Sequence, residues 1–457
     1  MAGTWSSCFD FEAMANICQP CTQSKALENS SSLQSNRSRR APVPFHFGAA
    51  ALALFLLSGI TPKICHAQSH DVICVDGTGD FETEFQSGAK VHVGAARNGG
   101  LAARVCEATL SWNKQNLVVA TAASQLDVDA FGVDLGVGVP VVAFQVKKSK
   151  TDCCMVYKIY SLREPPVLLR TITGGEFFSA ADTDLDGRVE IWTDDAASVI
   201  GFENFLLSDL DFTPPIVLRF ARGRLLDASS EFRPYFDGKI AEERAKLNPQ
   251  DLGDFKSSDG KLASNSAYPA DRLFHLRSVK IKVLEIVWSY LYSGREQEAW
   301  RSLAEMWPVA DVDRIRAAIL TARARGIRAQ VDSVSTALSA GREKQTKIFD
   351  GTTIQGTLPG VTPKEVTLKL EIVPPKPILM QRPPPLTALE QGLAQLESQL
   401  ELVIDSAGKV RSAELVGNAG LADAGLMSST SKWKFIPAFN AGRPVASRIF
   451  LGVSLKR

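Results

Sequence analysis

The sequence predicts a multidomain α+β protein with an N-terminal antiparallel β domain, a helical middle segment and a small C-terminal α+β domain. Three observations support this prediction. Short apolar runs separated by turn residues fill residues 72–220, the apolar spacing becomes helical over 269–328, and an alternating strand closes the chain after a proline cluster. A period of two is typical of half-buried strands, whereas steps of three and four are typical of helices.

Length and charge limit the classes of protein that the chain can belong to. The 457 residues suggest two or three domains, and 51 Lys+Arg against 50 Asp+Glu leave a net charge of +1. No global field therefore attracts nucleic acid or anionic lipid, and neither is an expected partner. We divide the chain into a leader (1–67), a β-rich domain (71–225), a helical segment (230–345), a linker with a strand and a proline-rich stretch (346–385) and a C-terminal domain (386–457).

The first 67 residues have the features of an export signal. Three arginines at 37, 39 and 40 precede the apolar run 47–60, and Cys65 and Ala67 supply the small residues that signal peptidase requires. The run is shorter than the roughly 20 residues that span a membrane. We therefore predict a cleaved signal and an exported protein of the periplasm or cell envelope. The alternative is an uncleaved anchor in which residues 47–60 hold the protein in the inner membrane.

Cysteine usage agrees with export. Cleavage after Ala67 leaves Cys74, Cys106, Cys153 and Cys154, and an even number in an oxidising compartment permits disulfides. Cys74 with Cys106 is the predicted bridge, because adjacent cysteines are hard to join directly. The alternative is that all four are buried thiols.

The β domain is predicted from short apolar runs over 117–120, 139–146, 155–162 and 189–192. Turn residues such as Gly174-Gly175 separate these runs. Short strands with frequent Gly and Asp favour an antiparallel sandwich or a partial propeller.

The helical segment is predicted from apolar stripes. Leu276, Val283 and Val287 belong to a first helix, a break follows at Gly294, and Pro308 ends a second helix. Asp311 is placed to cap a third helix. The prolines after residue 373 predict a polyproline II spacer, residues 386–400 a helix, and residues 445–455 a half-buried strand.

An acidic loop precedes the predicted strand 189–192 and suits a hard, oxygen-ligated cation. The predicted ligands are the carboxylates of Asp182, Asp184, Asp186 and Glu190 and the carbonyl of Arg188, with Ca²⁺ as the cation. Thr193 at the twelfth position argues against an EF-hand. The loop resembles the FG-GAP/VCBS type of Ca²⁺ loop, and a weaker echo lies at Asp127 and Asp129. The alternative is a solvated acidic turn.

The strongest resemblance lies in the last sixty residues. Their motifs are Ile404-Asp405-x-x-Gly408-x-Val410, Lys432-Trp433-x-Phe435-x-Pro437-Ala438 and Gly442-x-Pro444-Val445. Trp433 and Phe435 can pin a helix onto a sheet, Pro437 marks a strand end, and Gly442 permits a turn. Residues 400–457 thus resemble the C-terminal domain of TonB proteins.

The TonB resemblance implies a protein-binding domain that pairs with a short segment of an outer-membrane receptor by strand addition. The implied contact residues are Val445, Ile449, Leu451 and Val453. The alternative is a structural or dimerising module that does not bind a receptor.

Enzyme signatures are absent from the sequence. His70, His92 and His275 have no metal-ligand spacing, and we find no nucleophile elbow, zinc-protease helix or phosphate loop. We predict an exported, non-enzymatic envelope protein linked to TonB-dependent outer-membrane transport. The alternatives are a secreted, Ca²⁺-stabilised adhesive or carbohydrate-binding protein, and a hydrolase built on the β domain.

Overall fold

The structure, a computed structural model, describes residues 72–85, 87–96, 105–205, 213–263, 268–334, 348–354, 372–380, 397–416 and 423–454. These residues belong to one unit, Asp71–Arg457, in which antiparallel sheets predominate over helices. The predicted α+β class is confirmed at this coarse level. The predicted leader, with its apolar run 47–60 and its cleavage site after Ala67, lies outside the described residues.

The first sheet is a four-stranded antiparallel meander. The short strand β1 (Cys74–Val75) precedes it, and its own strands are β2 (Asp80–Glu84), β3 (Lys90–Ala95), β4 (Cys106–Trp112) and β5 (Gln115–Ala123). Strand β3 shows why the segment forms a sheet with one buried face. Val91 and Val93 are fully buried, whereas the residues between and before them are not.

The second sheet has both faces covered. Its strands are β6 (Gln125–Val133), β7 (Val141–Lys147), β8 (Met155–Ser161) and β9 (Leu168–Gly175), with β1 paired to β6. In β7, Val142 and Phe144 pack in a core with the first sheet, while Val141 and Ala143 pack in a second core with the helices. Burial on both sides explains why the apolar run of this strand does not alternate.

The third sheet repeats the antiparallel arrangement. Its strands are β10 (Phe178–Ala181), β11 (Glu190–Asp194), β12 (Pro215–Ala221) and β13 (Arg224–Asp227), and β14 (Ser333–Val334) adds to β13 in parallel. The predicted acidic loop is the connection between β10 and β11. We use the name β region for strands β1–β13.

The helices pack on the third sheet through the larger core. They are α1 (Ala196–Val199), α2 (Arg233–Ala245), α3 (Pro249–Lys256), α4 (Ala270–Tyr292), α5 (Glu296–Met306) and α6 (Val312–Arg323). The predicted stripe of α4 is buried, and α5 ends ahead of Pro308. None of the helices in the described ranges has both the length and the apolarity to cross a membrane.

The predicted capping role of Asp311 is wrong. The residue lies at the N-terminus of α6, but its side chain makes no capping hydrogen bond. It accepts a hydrogen bond from Trp307 Nε1 at 2.9 Å and pairs with Arg314 instead. A buried indole N–H and a nearby guanidinium compete for the carboxylate more strongly than the helix N-terminus does.

Asp195 joins the third sheet to the helices. Its carboxylate accepts hydrogen bonds from Tyr292 Oη at 2.6 Å and from the backbone N–H of Ile327 at 2.7 Å. Gly326 lies against it so closely that a Cβ there would sit 2.2 Å from an Asp195 oxygen. Burial raises the pKa of this carboxyl to about 6, although the two donors oppose the shift.

Replacing Asp195 with Asn should remove a pH dependence of stability. A carboxyl whose pKa is raised on folding contributes stability that is fully present below the unfolded pKa and is lost as pH rises through about 6. From pH 4 to pH 7 the wild-type free energy of unfolding should fall relative to the variant by on the order of 2–3 kcal/mol. Urea unfolding at several pH values measures this difference, and parallel pH profiles would contradict the prediction.

The C-terminal module comprises strands β15–β23 and helix α7. Its elements are β15 (Phe349–Ile354), β16 (Ile372–Val373), β17 (Lys376–Leu379), β18 (Glu397–Ile404), β19 (Val410–Val416), α7 (Asp423–Thr430), β20 (Lys434–Ile436), β21 (Ala438–Asn440), β22 (Arg443–Val445) and β23 (Ser447–Ser454). The main sheet has the order β15-β23-β18-β19. Trp433, Phe435 and the alternating residues of β18 and β23 form its own core.

The described part of the predicted linker is not a polyproline spacer. Residues 372–373 and 376–379 form strands that pair with β21 and β20 of the module. Pro377 is compatible with this role because β17 pairs on one side only, so its missing N–H need not break a ladder. The predicted helix 386–400 is wrong at its end, where residues 397–400 belong to β18, and its remainder lies outside the described residues.

Candidate metal centre

The acidic loop between β10 and β11 folds around its own carboxylates. The backbone N–H of Gly187 donates to Asp182 Oδ2 at 3.0 Å, and the N–H of Thr183 donates to Glu190 Oε2 at 3.0 Å. Gly187 has φ +83°, a conformation that glycine adopts without strain. The loop therefore closes on itself, with Asp182 and Glu190 at its two ends.

Three carboxylates of this loop converge. Asp182, Asp184 and Glu190 each place one oxygen within 4.8 Å of the others, and this cluster could hold a metal ion. Asp182 and Glu190 are fully buried. We name these three residues the acidic cluster.

Two oxygens of the acidic cluster face no hydrogen-bond donor of the described residues. Asp182 Oδ1 and Glu190 Oε1 are buried and have no hydrogen-bond partner among the described residues. Burial raises the pKa of Asp182 to about 6 and that of Glu190 well above its usual range, and the neighbouring carboxylates add to both shifts. Buried charges of one sign need compensation, so the donor set fits a hard cation.

Two of the predicted ligands, Asp186 and Arg188, bond to each other. The backbone N–H of Arg188 donates to Asp186 Oδ1 at 2.9 Å, and the Arg188 guanidinium pairs with Asp186 Oδ2. The structure does not bring Asp186 into the acidic cluster, so binding of the ion by its carboxylate stays a prediction. Binding by the Arg188 carbonyl stays a prediction.

The C-terminal module reaches the acidic cluster through the turn between β18 and β19, residues 405–408, which we name the hairpin turn. Ser406 Oγ donates to Asp182 Oδ2 at 2.8 Å, and the backbone N–H of Asp182 donates to Asp405 Oδ2 at 3.0 Å. Burial raises the pKa of Asp405 to about 7, against the attraction of Arg411. No local pattern in the sequence indicates the contact of this turn with a loop more than 220 residues earlier.

The weaker acidic echo, Asp127 and Asp129, is not a second metal loop. Both residues lie inside β6 and pair with lysines of the C-terminal module: Lys434 Nζ is 2.7 Å from Asp127 Oδ2, and Lys409 Nζ is 2.6 Å from Asp129 Oδ1. Burial raises the pKa of Asp127, with Lys434 opposing. Burial alone would lower the pKa of Lys409, but the attraction of Asp129 opposes burial, and the pKa of Lys409 is raised. We name these two ion pairs the docking pairs.

The predicted partner-binding strand is not a free edge. Strand β23 pairs antiparallel with β18 on one side and parallel with β15 on the other. Ile449 and Leu451 are buried in the module core, and Val453 lies in the same strand. Val445 belongs to β22 and pairs with Ala438. Residues 445–455 are therefore not one continuous strand with a free edge, because Val445 lies in β22 and residues 349–354 pair with β23.

The residues of the TonB-like motif lie together in the module. Trp433 and Phe435 fill the core between α7 and the sheet, and Pro437 separates β20 from β21. Gly442, with φ +76°, forms the turn into β22, where Pro444 pairs with Phe439.

Two disulfides lie within the described ranges of the chain. Cys74–Cys106 has Cα atoms 6.0 Å apart and joins β1 to β4. Cys153–Cys154 is also formed, although adjacent cysteines are hard to join directly and the sequence predicted only the Cys74–Cys106 bridge. Both residues lie in the turn between β7 and β8, which brings their side chains together.

Comparison with known proteins gives no match to a protein-family model, a curated protein or a solved structure. The TonB-like and FG-GAP-like resemblances stay predictions from the motifs quoted above.

Proposed function

We propose that this chain is an exported, non-enzymatic cell-envelope protein whose C-terminal module binds a partner protein by strand addition. The pairing of β15 with the outer edge of β23 supports the proposal most directly. That edge already accepts a strand from a segment about a hundred residues away in the chain, so its backbone geometry suits strand addition once β15 is displaced. The TonB-like motif favours an outer-membrane receptor as the partner.

The partner segment would replace β15. Strand β15 is short, and its register with β23 shifts between Phe349 and Thr352. A bulge leaves backbone groups unpaired, and a longer partner strand in regular register would form more ladder bonds. The partner is therefore an extended peptide with alternating side chains rather than a folded surface.

A proline at Thr352 tests the replacement of β15. The Thr352→Pro variant loses a backbone N–H, which should loosen β15 and free the edge of β23. A peptide carrying the docking segment of an outer-membrane receptor should then bind the full chain about tenfold more tightly, as measured by fluorescence anisotropy. Thr352→Ser keeps the N–H and is the matched control. No binding to either variant would contradict the proposal.

We also propose that the acidic cluster binds Ca²⁺. Three carboxylate oxygens are hard ligands, and Ca²⁺ tolerates the irregular coordination that a loop, backbone carbonyls and water complete. The same cluster favours the second candidate function, a secreted Ca²⁺-stabilised adhesive or carbohydrate-binding protein with the C-terminal module as scaffold.

We propose in addition that the β region is a partial propeller, because its three four-stranded meanders follow one another in the chain.

Calcium should raise the melting temperature of the protein, and Asp184→Asn should abolish the effect. Ligand at about a hundred times its Kd stabilises the native state by about 2.7 kcal/mol. Asp186→Asn is the matched control, because Asp186 pairs with Arg188 outside the cluster, and it should keep most of the response. Differential scanning fluorimetry in Ca²⁺ and in EDTA measures this. An equal loss in both variants would contradict the assigned ligands.

A further inference from the structure

We infer that cation binding at the acidic cluster and docking of the C-terminal module onto the β region are coupled, so that the ion stabilises the docked module. The inference rests on the proposed cation site and adds a regulatory role to it. The observation behind it is that one residue, Asp182, belongs to both the acidic cluster and the docking contact.

The hairpin turn holds Asp182 by its backbone and by its side chain. Asp405 Oδ2 accepts from the backbone N–H of Asp182 at 3.0 Å, while Ser406 Oγ donates to Asp182 Oδ2 at 2.8 Å. Asp405 is itself fixed, because the backbone N–H groups of Ala407 and Lys409 donate to its Oδ1 at 2.9 Å each. All of these contacts are buried or half-buried.

These contacts set the direction of the oxygen that faces the cation. Ser406 and Gly187 both donate to Oδ2 of Asp182, and the plane of the carboxylate is thereby fixed. Its other oxygen, Oδ1, has no hydrogen-bond partner among the described residues and lies in the acidic cluster with the fully buried, unpartnered Oε1 of Glu190. Undocking would remove one of the two donors that orient the ligand.

The rest of the loop is held by the same module. Arg411 Nη2 donates to the carbonyl of Thr183 at 3.3 Å, and the N–H of Thr183 donates to Glu190. The docking pairs anchor the module beside this loop, on strand β6. The hairpin turn therefore cannot leave Asp182 without changing the surroundings of Thr183 and Glu190.

Coupling follows from the charge of the acidic cluster. Buried carboxylates within 4.8 Å repel one another, and a cation turns this repulsion into attraction. An ion that prefers the oriented Asp182 must favour the docked state, and by reciprocity docking must favour the ion. Couplings of this kind change affinity by roughly 5- to 150-fold.

The test uses the full chain with Ca²⁺ as the probe. Isothermal titration calorimetry should show Ca²⁺ binding that Ser406→Ala weakens by at least about fivefold. Ser412→Ala is the matched control, since Ser412 is exposed on β19 of the same hairpin, and it should bind as the wild type does. Hydrogen exchange of the wild type in Ca²⁺ and in EDTA gives a second readout that needs no variant. Exchange over residues 405–411 should be slower with Ca²⁺.

The outcomes separate this inference from the proposed cation site. Binding with slower exchange in 405–411 and a weakened Ser406→Ala variant supports the coupling. Binding with unchanged exchange and an unaffected variant overturns the coupling and leaves the cation site standing. No binding to the wild type overturns both.

Discussion

Replacing Lys434 with Met is expected to lower the free energy of unfolding by about 3–5 kcal/mol, because it leaves a buried carboxylate without its cation. Lys434 Nζ donates to Asp127 Oδ2 at 2.7 Å and to the carbonyl of Val128 at 2.9 Å. Methionine keeps the apolar part of the side chain but can form neither of these hydrogen bonds. Urea unfolding of the full chain measures the loss.

Lys376→Met is the matched control for this change. Lys376 is exposed on β17, the strand that pairs with β20, and its replacement should cost less than about 1 kcal/mol. Adding Asp127→Asn to Lys434→Met should recover part of the stability, because the remaining group is then neutral. Equal losses for the two lysine variants would show that the docking pair does not stabilise the fold.

Replacing Gly408 with Ala should destabilise the C-terminal module by more than about 3 kcal/mol. Gly408 closes the hairpin turn with φ +83°, and a Cβ there would lie 1.9 Å from the backbone oxygen of Phe435. The backbone N–H of Phe435 donates to the Gly408 oxygen at 2.9 Å, so neither segment can move away without losing this bond.

Gly442→Ala is the control that separates the two costs of Gly408→Ala, the clash with Phe435 and the strain of a positive φ. Gly442 has a similar φ of +76°, but apart from its two chain neighbours no atom of the described residues lies within 4 Å of the place that an alanine methyl would take. Only the strain of about 1 kcal/mol should therefore remain. Thermal unfolding of both variants should show a much larger shift for Gly408→Ala. Similar shifts would mean that the close approach to Phe435 is relieved at little cost.

Local patterns predicted the elements whose contacts are themselves local. Residues 190–192 of the predicted run 189–192 lie in β11, and the stripes over 269–328 form α4–α6. Glu190 was predicted correctly as a neighbour of Asp182, because a single turn of the chain brings the two residues together. Asp186 lies outside the acidic cluster for an equally local reason, since its carboxylate pairs with Arg188.

Long-range pairing explains most of what the sequence did not reveal. The bond between Asp182 and Asp405 spans 223 residues, and that between Asp127 and Lys434 spans 307. No periodicity connects such positions, so Asp127 and Asp129 suggested a second loop rather than partners for lysines. The pairing of β15 with β23 could not be predicted for the same reason. Because of this pairing, the edge of β23 is occupied by another strand of the same chain.

The docking pairs also constrain how the protein is made. The carboxylate of Asp129 is synthesised 280 residues before Lys409, the cation that neutralises it. At about 5–20 residues per second, the ribosome needs roughly 15–60 s to cover that distance. During this time β6 carries acidic side chains whose lysine counterions are still to be translated. The β region therefore reaches its final electrostatic state only when the end of the chain has emerged, and premature termination before residue 409 leaves β6 without the two lysines that pair with its carboxylates.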